Sequence, residues 1–488
     1  MLWLQNIVII SVSFLLSRIL IEADAHRYFI AYLLKKGYKQ ISDLITAVLL
    51  LSYLMSLFFS NTVVVLSLIA IINYFLDEIK DKRRRTLVST YLVLALIYGA
   101  NIGGMGSLIG SALNIFYLGL LEFYNITGRE YINFFSWLLV GIPVSLVLLF
   151  IGRLILKIDE RRHLPDETIP FHPDLQISFN SKKYITFYFA NLFIIIFLSA
   201  LQFLFIPPPL WAGLNFVDWI FVFYFAGFMF FAFIYPRREQ SPFHYQRNLL
   251  HFLLYLVFTP FIFLVETIKE ISGRTHSVRP RFINKIDSRL EGTLDRIWYH
   301  LWGERISFLR SKNTNTYVSI NRILGELPYT GLLILAGILV FVYLITRLGD
   351  NPATPQIDGY LVQFIEYLSL SLLGSIEEYY ILFLVVILIT VFITELINNM
   401  STLLILFPLL VQIAASLQFN PIILLLAMTI GASSAFMSPV ATSVNALAFG
   451  AVEGVSLKKM LRLGLALNLL GGLWLAVVFY LIQIIMVT

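Results

Sequence analysis

Two short clusters in this chain place a hydroxyl about one helical turn before a side-chain amide. In MSLFFSNT the hydroxyl is Ser56 and the amide is Asn61. In ITELINNM the hydroxyl is Thr394 and the amides are Asn398 and Asn399. Residues one turn apart share a helix face, and neutral hydroxyl and amide oxygens are hard ligands suited to an alkali cation. Each cluster is therefore a candidate cation site.

Each cluster is followed by an apolar segment with an unusual middle. The first, over 99–114, reads GANIGGMGSLIGSALN, and the second, over 431–445, reads GASSAFMSPVATSVN. A glycine costs a helix about 1 kcal/mol relative to alanine, so the five glycines over 99–110 predict an unwound loop. Close helix packing is the alternative use of such glycines. A loop at membrane depth must be buried in protein or line a cavity, and half-helix N-termini offer N–H groups to an anion.

The composition indicates whether these clusters lie in water or in a membrane. The chain has 488 residues, of which 59% are hydrophobic and 13% charged, and its mean hydropathy is +0.83. These values predict an all-α polytopic membrane protein whose first helix, over 4–21, is retained. Its net charge of +6 is explained by basic loops between apolar segments, so it does not indicate nucleic-acid binding. The sequence contains no cluster of histidines or carboxylates at the spacing of acid–base or metal sites, so nothing in it indicates catalysis.

The basic loops also predict the topology. The loops at 33–40 and 77–86 are both cytoplasmic by the positive-inside rule, so residues 41–76 must enter and leave on one side as a re-entrant hairpin. By the same reasoning, residues 379–417 form a second hairpin from the opposite face. Broken helices over 86–122 and 420–450 follow the hairpins. Two halves of opposite orientation make an inverted repeat, with about eight full crossings.

The predicted organisation has five parts. They are the first repeat (1–156), a cytoplasmic connector (157–185), scaffold helices (186–235), a cytoplasmic or interfacial insertion (236–327) and the remainder of the second repeat (328–488). The insertion includes an interfacial segment at 249–268 and is either a solvated connector or a regulatory, lipid-contacting module.

At these motifs the chain resembles the divalent anion:sodium symporter (DASS) family, over nearly its whole length outside roughly 236–320. The family's hairpin tips read Ser-Asn-Thr, which is similar to residues 60–62 and loosely to 398–400 here. Its broken helices read Gly-[Ser/Thr]-Pro-Pro-Asn and Ala-Thr-Pro-Pro-Asn, and this chain has GSALN at 110–114 and ATSVN at 441–445.

The resemblance implies a sodium-coupled symporter of a dicarboxylate, citrate or sulfate that works by an elevator motion. It implies a homodimer in the plasma or inner membrane, with sodium as the coupling ion and no other cofactor. The implied cation ligands are Ser56, Ser60, Asn61, the Gly110 carbonyl, Thr394, Asn398, Asn399 and the Ala441 carbonyl. The implied substrate-binding residues are Ser60, Asn61, Thr62, Ser111, Asn398, Asn399, Thr442 and Ser443.

Departures from the family leave alternatives open. Both proline pairs are replaced, and Met400 stands where the family has a threonine. Members usually carry three helices before the one matching 4–21, so we expect part of the scaffold to be absent or the chain to be short at its N-terminus. Glu395 either couples protons or serves as a structural carboxylate bonded to hairpin amides. The chain is then alternatively a proton-coupled or oxyanion-exporting relative, or a transport-inactive sensor or scaffold.

Overall fold

The computed structural model describes residues 40–77, 79–164, 180–204, 209–211, 214–229, 379–416 and 419–487, with scattered helical positions between 4 and 16. Several predictions lie outside these ranges. They concern the insertion at 236–327 with its interfacial segment, the second repeat before residue 379, and most of the first helix and of the cytoplasmic connector.

The regular secondary structure of the described residues is helical apart from one short antiparallel ribbon, and it includes a 3-10 turn at Arg129–Tyr131. The helices are α1 (Ile41–Ser56), α2 (Asn61–Asp77), α3 (Lys82–Gly106), α4 (Ala112–Phe123), α5 (Phe134–His163), α6 (Asn180–Leu204), α7 (Phe216–Met229), α8 (Tyr379–Ile397), α9 (Asn399–Ser416), α10 (Ile422–Ser433), α11 (Ser443–Ala451) and α12 (Leu457–Val487). The ribbon joins β1 (Pro209–Trp211) to β2 (Leu214–Asn215), between α6 and α7.

Five of these helices are long and apolar enough to cross a membrane, as judged from length and composition: α3, α5, α6, α8 and α12. The helices α1, α2, α4, α7, α9 and α10 are apolar but shorter. The prediction of a helical, polytopic membrane protein is confirmed in this form. The predicted total of about eight crossings includes segments outside the described ranges.

Two helices form the centre of the protein. Every residue of α3 from Val88 to Gly106 is buried, and so is every residue of α10. Helices that are apolar on all sides bury all their faces, and here α1, α5 and α8 provide the surrounding surfaces. Both central helices end in an interruption, over 107–111 and over 434–442, before α4 and α11 continue the chain.

The glycines of the first central helix correct the prediction of an unwound loop over 99–110. Helix α3 continues to Gly106, and Gly110 alone of the five lies in the interruption. A Cβ on Gly99 would overlap the Ser52 hydroxyl and the Leu49 carbonyl of α1. A Cβ on Gly103 would overlap the Tyr53 carbonyl of the same helix. These glycines therefore let α1 and α3 pack backbone against backbone. This is the alternative given above, close helix packing.

Each interruption is held by one asparagine side chain. Asn114 Nδ2 donates to the carbonyls of Gly104 (2.9 Å) and Ser107 (2.8 Å), which lie ten and seven residues earlier. Asn445 Nδ2 donates to the carbonyls ten and seven residues earlier in the second half, at 3.0 and 2.8 Å. The two halves of the chain thus repeat the same local geometry around the interruption.

A buried ionic network joins α3, α5 and α12 near the end of α5. Asp159 is 5% exposed and accepts from the Tyr91 hydroxyl at 2.7 Å and from Lys459 Nζ at 2.6 Å. Arg462 also pairs with this carboxylate. A buried carboxylate needs such compensation, so these three helices are tied together at this end.

The backbone contact between α1 and α3 generates a stability prediction. Gly103→Ala should lower the free energy of unfolding by about 1–3 kcal/mol, because the new methyl overlaps a backbone carbonyl that cannot rotate away. The measurement is thermal unfolding of the purified protein in detergent.

The matched control is Gly119→Ala in α4, where a Cβ would meet no atom within 4 Å. That change should be neutral or raise stability, by up to about 1 kcal/mol, because alanine is the better helix former. Equal behaviour of the two variants would contradict the packing role of Gly103.

Candidate functional site

A cavity of about 450 Å³ lies where the two halves of the chain meet. Its lining residues come from the two interruptions and from the junction between α8 and α9. They are Ser111, Ala112, Leu113, Asn398, Asn399, Met400, Val440, Ala441, Thr442, Ser443 and Ala446. None of these eleven side chains is charged, so a ligand here meets hydroxyls, carboxamides, backbone groups and apolar side chains.

Three helix N-termini meet at this cavity, those of α4, α9 and α11. Ser111 caps α4 by accepting from the Leu113 N–H, and Thr442 caps α11 by accepting from the Asn445 N–H. Asn398 is the single residue between α8 and α9, with a left-handed φ of 72°, which asparagine tolerates better than most residues. Its side chain accepts from the Ser401 N–H at 3.0 Å and caps α9. Each N-terminus brings partial positive charge and N–H donors toward the cavity.

Beside this cavity, the first half of the chain gathers buried oxygens that have no hydrogen-bond partner. They are Ser56 Oγ from α1 and Asn61 Oδ1 from α2, which form the first helix pair, and Asn114 Oδ1 from α4. All three lie against the end of α3. A Cβ on Gly103 would be 2.8 Å from Ser56 Cβ, a Cβ on Gly104 would be 2.6 Å from Asn61 Oδ1, and Asn114 donates to the Gly104 carbonyl. Buried polar atoms normally have partners, so this cluster fits a ligand that accepts oxygen lone pairs.

The corresponding groups of the second half bond to one another. The Thr394 hydroxyl lies 2.8 Å from Asn399 Oδ1 and 2.9 Å from the Ala432 carbonyl. Thr394 is fully buried, as Ser56 is. The two hydroxyls therefore occupy equivalent positions, but the second has protein partners where the first has none.

The Glu395 carboxylate is buried beside the second interruption. It accepts the backbone N–H groups of Phe436 and Met437 at 2.7 Å and of Ser438 at 2.6 Å. It also accepts from Asn468 Nδ2 of α12 at 2.7 Å. These donors belong to the interruption and to α12. The prediction of a structural carboxylate bonded to hairpin amides is therefore wrong about the donors. Four donors on one carboxylate satisfy its charge and fix the loop that leads into α11.

The structure brings most of the predicted site residues into one region. Ser111, Asn398, Asn399, Ala441, Thr442 and Ser443 line the cavity. Asn61 and the buried Gly110 lie with Ser56 at the end of α3. Thr62 reaches the second half, because its hydroxyl lies 3.4 Å from that of Ser443. Ser60 is an exposed residue at the tip of the first pair, outside the cavity lining.

Comparison with known proteins identifies the family. The family described as citrate transporter matches residues 4–431. The chain belongs to this citrate transporter family, among the divalent anion:sodium symporters. It is accordingly an integral, multi-pass membrane protein.

The relatives of this citrate transporter family member are transporters. An uncharacterized transporter of Methanocaldococcus jannaschii is 25% identical over 91% of this chain and 75% of its own length. A sodium-dependent dicarboxylate transporter of Staphylococcus saprophyticus is 23% identical over 87% of this chain. The human Na(+)/dicarboxylate cotransporter 3 is 42% identical over 96 residues, or 19% of this chain. The chain covers 66% of the staphylococcal protein and 16% of the human one.

The surroundings of the cavity also contain residues that the sequence did not assign to the site. Asn101 Nδ2, near the C-terminal end of α3, lies 2.9 Å from both the Ala435 carbonyl and Asn445 Oδ1 of the second half. Asn114 and Asn445 mark the ends of the two unusual segments. Aligning the two segments on these asparagines was the available signal, whereas the carbonyls that they bind are known only from the structure.

The surroundings of Glu395 generate a prediction. Glu395→Gln should lower the free energy of unfolding by about 1.5–3 kcal/mol, because the neutral amide weakens bonds to a charged acceptor and points N–H against N–H. The measurement is thermal unfolding, with Glu453→Gln as the control because Glu453 is exposed.

A proton-coupling role for Glu395 leads to a different result. The variant would then be as stable as the wild type, and its uptake would lose dependence on pH. That outcome would contradict the structural role.

Proposed function

We propose that this protein is a secondary active transporter that couples sodium entry to the symport of a small divalent anion, such as a dicarboxylate, citrate or sulfate. The observation that carries the proposal is the convergence of three helix N-termini on one cavity, next to a cluster of unpartnered buried oxygens. The first feature suits an anion and the second suits a cation. We place this carrier in the plasma membrane.

The anion is proposed to bind through dipoles. Helix N-termini and hydroxyl donors stabilise negative charge without a fixed cation, and the lining contains hydroxyls at Ser111, Thr442 and Ser443. A neutral lining suits a carrier, because an anion held by a buried arginine or lysine would be harder to release. The Met400 side chain offers no hydrogen-bond donor, so the hydroxyls, the carboxamides and the backbone N–H groups carry the recognition.

The cation is proposed to bind to the oxygen cluster at the end of α3, through Ser56, Asn61 and the Gly110 carbonyl, with Ser60 at the edge. Unwound carbonyls and neutral side-chain oxygens are typical sodium ligands in transporters of this kind. The second set, Thr394, Asn398, Asn399 and the Ala441 carbonyl, is the corresponding proposed site in the second half.

Coupling follows from the charges. Two opposite unit charges 4 Å apart attract by about 4 kcal/mol at an effective dielectric constant of 20. A cation near the cavity therefore raises the affinity for the anion, and the anion raises the affinity for the cation by the same factor. The Thr62–Ser443 contact joins the first helix pair to the α11 end of the cavity.

The proposed mechanism moves the site as a body. Helix α1 has 16 residues, which span about 24 Å, less than the roughly 30 Å of the hydrocarbon core. This length supports a re-entrant placement of α1 and α2. The tip of this pair contacts α6, where Tyr188 donates to the Phe58 carbonyl at 2.6 Å and stacks on Phe59. We propose α6 and α7 as part of a fixed scaffold, in a homodimer, past which the pair slides.

The first test of this proposal is uptake into liposomes by the purified protein. Succinate, citrate and sulfate are supplied with a sodium gradient, with choline in place of sodium, or with a proton gradient alone. We expect uptake of at least one of these anions only with sodium. Uptake driven by protons alone would select the proton-coupled alternative, and no flux under any gradient would support a sensor or scaffold.

The second test uses variants that remove the oxygen cluster. Ser56→Ala should reduce sodium-dependent uptake by at least about tenfold while the protein stays folded, because this hydroxyl has no protein partner to lose. Asn61→Ala and Asn399→Ala should each abolish uptake.

The matched control for Ser56→Ala is Ser52→Ala, one turn earlier on α1. The Ser52 hydroxyl bonds to the Leu49 carbonyl within its own helix and lies 3.4 Å from the Ala95 carbonyl of α3, so it already has protein partners. It should be dispensable for transport. Wild-type uptake in Ser56→Ala would remove the proposed cation site.

A further inference from the structure

The two asparagines that hold the interruptions differ at one atom. Asn114 and Asn445 are both fully buried, and each donates its amide N–H groups to carbonyls ten and seven residues earlier. The oxygen of Asn445 accepts from Asn101 at 2.9 Å. The oxygen of Asn114 has no hydrogen-bond partner.

The orientation of the Asn114 carboxamide is fixed by what surrounds it. Its nitrogen faces two carbonyl oxygens, which can only accept. Rotating the group by half a turn would place oxygen against oxygen at both contacts. The carboxamide oxygen must therefore point the other way, into the protein, where an unsatisfied acceptor costs about 1–3 kcal/mol.

Comparison of the two repeats explains why the carboxamide oxygen of Asn445 has a partner and that of Asn114 has none. Asn101, the donor to Asn445, lies 13 positions before Asn114, and the residue 13 positions before Asn445 is Ala432. The first half thus supplies a donor to the second, and the second half has an alanine where it would supply one in return. The same asymmetry holds for the hydroxyls, since Ser56 is unpartnered whereas Thr394 contacts Asn399 and Ala432.

The Asn114 side chain borders the other unpartnered oxygens. Its amide bonds to the Gly104 carbonyl, and a Cβ on Gly104 would contact the Asn61 side chain. Gly110 packs on the same residue, because its Cβ would lie 3.0 Å from Gly104 Cα. The oxygens of Ser56, Asn61 and Asn114 therefore surround one turn of α3 and all require a positive partner.

We propose that the Asn114 carboxamide oxygen is a ligand of the coupling cation, and that the site in the first half consequently binds sodium more tightly than the site in the second half. The inference rests on the proposed cation coupling. It adds a residue to the site and ranks the two halves. The tight site holds an oxygen whose counterpart in the second half is already taken by Asn101.

The experiment measures sodium binding through stability and needs no transport. A cation that binds the folded state raises the unfolding midpoint according to its concentration and dissociation constant. Purified protein in detergent is titrated with sodium chloride against choline chloride at constant ionic strength. Asn114→Ala should weaken the apparent sodium affinity by at least about tenfold.

The matched control is Asn445→Ala. It removes the equivalent two bonds to backbone carbonyls and also the bond from Asn101, so it disturbs an interruption at least as much as Asn114→Ala does, but it takes away no unpartnered oxygen. It should keep the wild-type sodium affinity within about twofold. Equal losses of sodium affinity in the two variants would overturn the proposal, because the effect would then come from disturbing an interruption.

A second variant covers the case in which Asn114→Ala does not fold. Asn114→Ser keeps one donor to the carbonyls of the interruption through its hydroxyl but lacks the carboxamide oxygen, so it should weaken the apparent sodium affinity as Asn114→Ala does. Wild-type sodium affinity in Asn114→Ser would overturn the role of this oxygen. A wild-type protein that sodium does not stabilise at all would overturn the cation coupling itself, and the inference with it.

Discussion

A helix that stops inside a membrane exposes backbone carbonyls that no water can satisfy. Asn114 meets this constraint by bridging the last turn of α3 to the first interruption, and Asn445 meets it by holding two carbonyls of the second interruption. Because the carbonyls are held, α4 and α11 can begin at defined points. The cavity and its helix N-termini depend on both side chains, and the neighbouring oxygen cluster depends on Asn114.

The two halves use different means around this shared element. In the second half, the Glu395 carboxylate collects the N–H groups of the interruption. In the first half, Leu57 follows Ser56 as Glu395 follows Thr394. Leu57 has no charge, and its carbonyl accepts from the Ser107 hydroxyl of the interruption. One interruption is thus held by a buried charge, and the other by neutral groups with oxygen atoms left over.

The sequence predicts the hydroxyl and amide pairs well, because their spacing is local and hydropathy alone places them in a membrane. It fails at Gly99 and Gly103, since a glycine-rich helix and a glycine-rich loop have the same composition. The difference lies in Ser52 and Tyr53 across the contact, which only the tertiary structure brings there. The partners of Glu395 lie 41–73 residues away in the chain, so the local sequence gives no indication of them.

The glycine contact between α1 and α3 also limits how the site can open. Where two backbones touch, a small outward swing of α1 would break the packing along its whole length instead of bending a few side chains. Helix α1 is therefore unsuited to act as a gate. In the proposed mechanism, the oxygen cluster is therefore exposed to one side of the membrane and then to the other by α1 and α3 travelling together with the proposed cation.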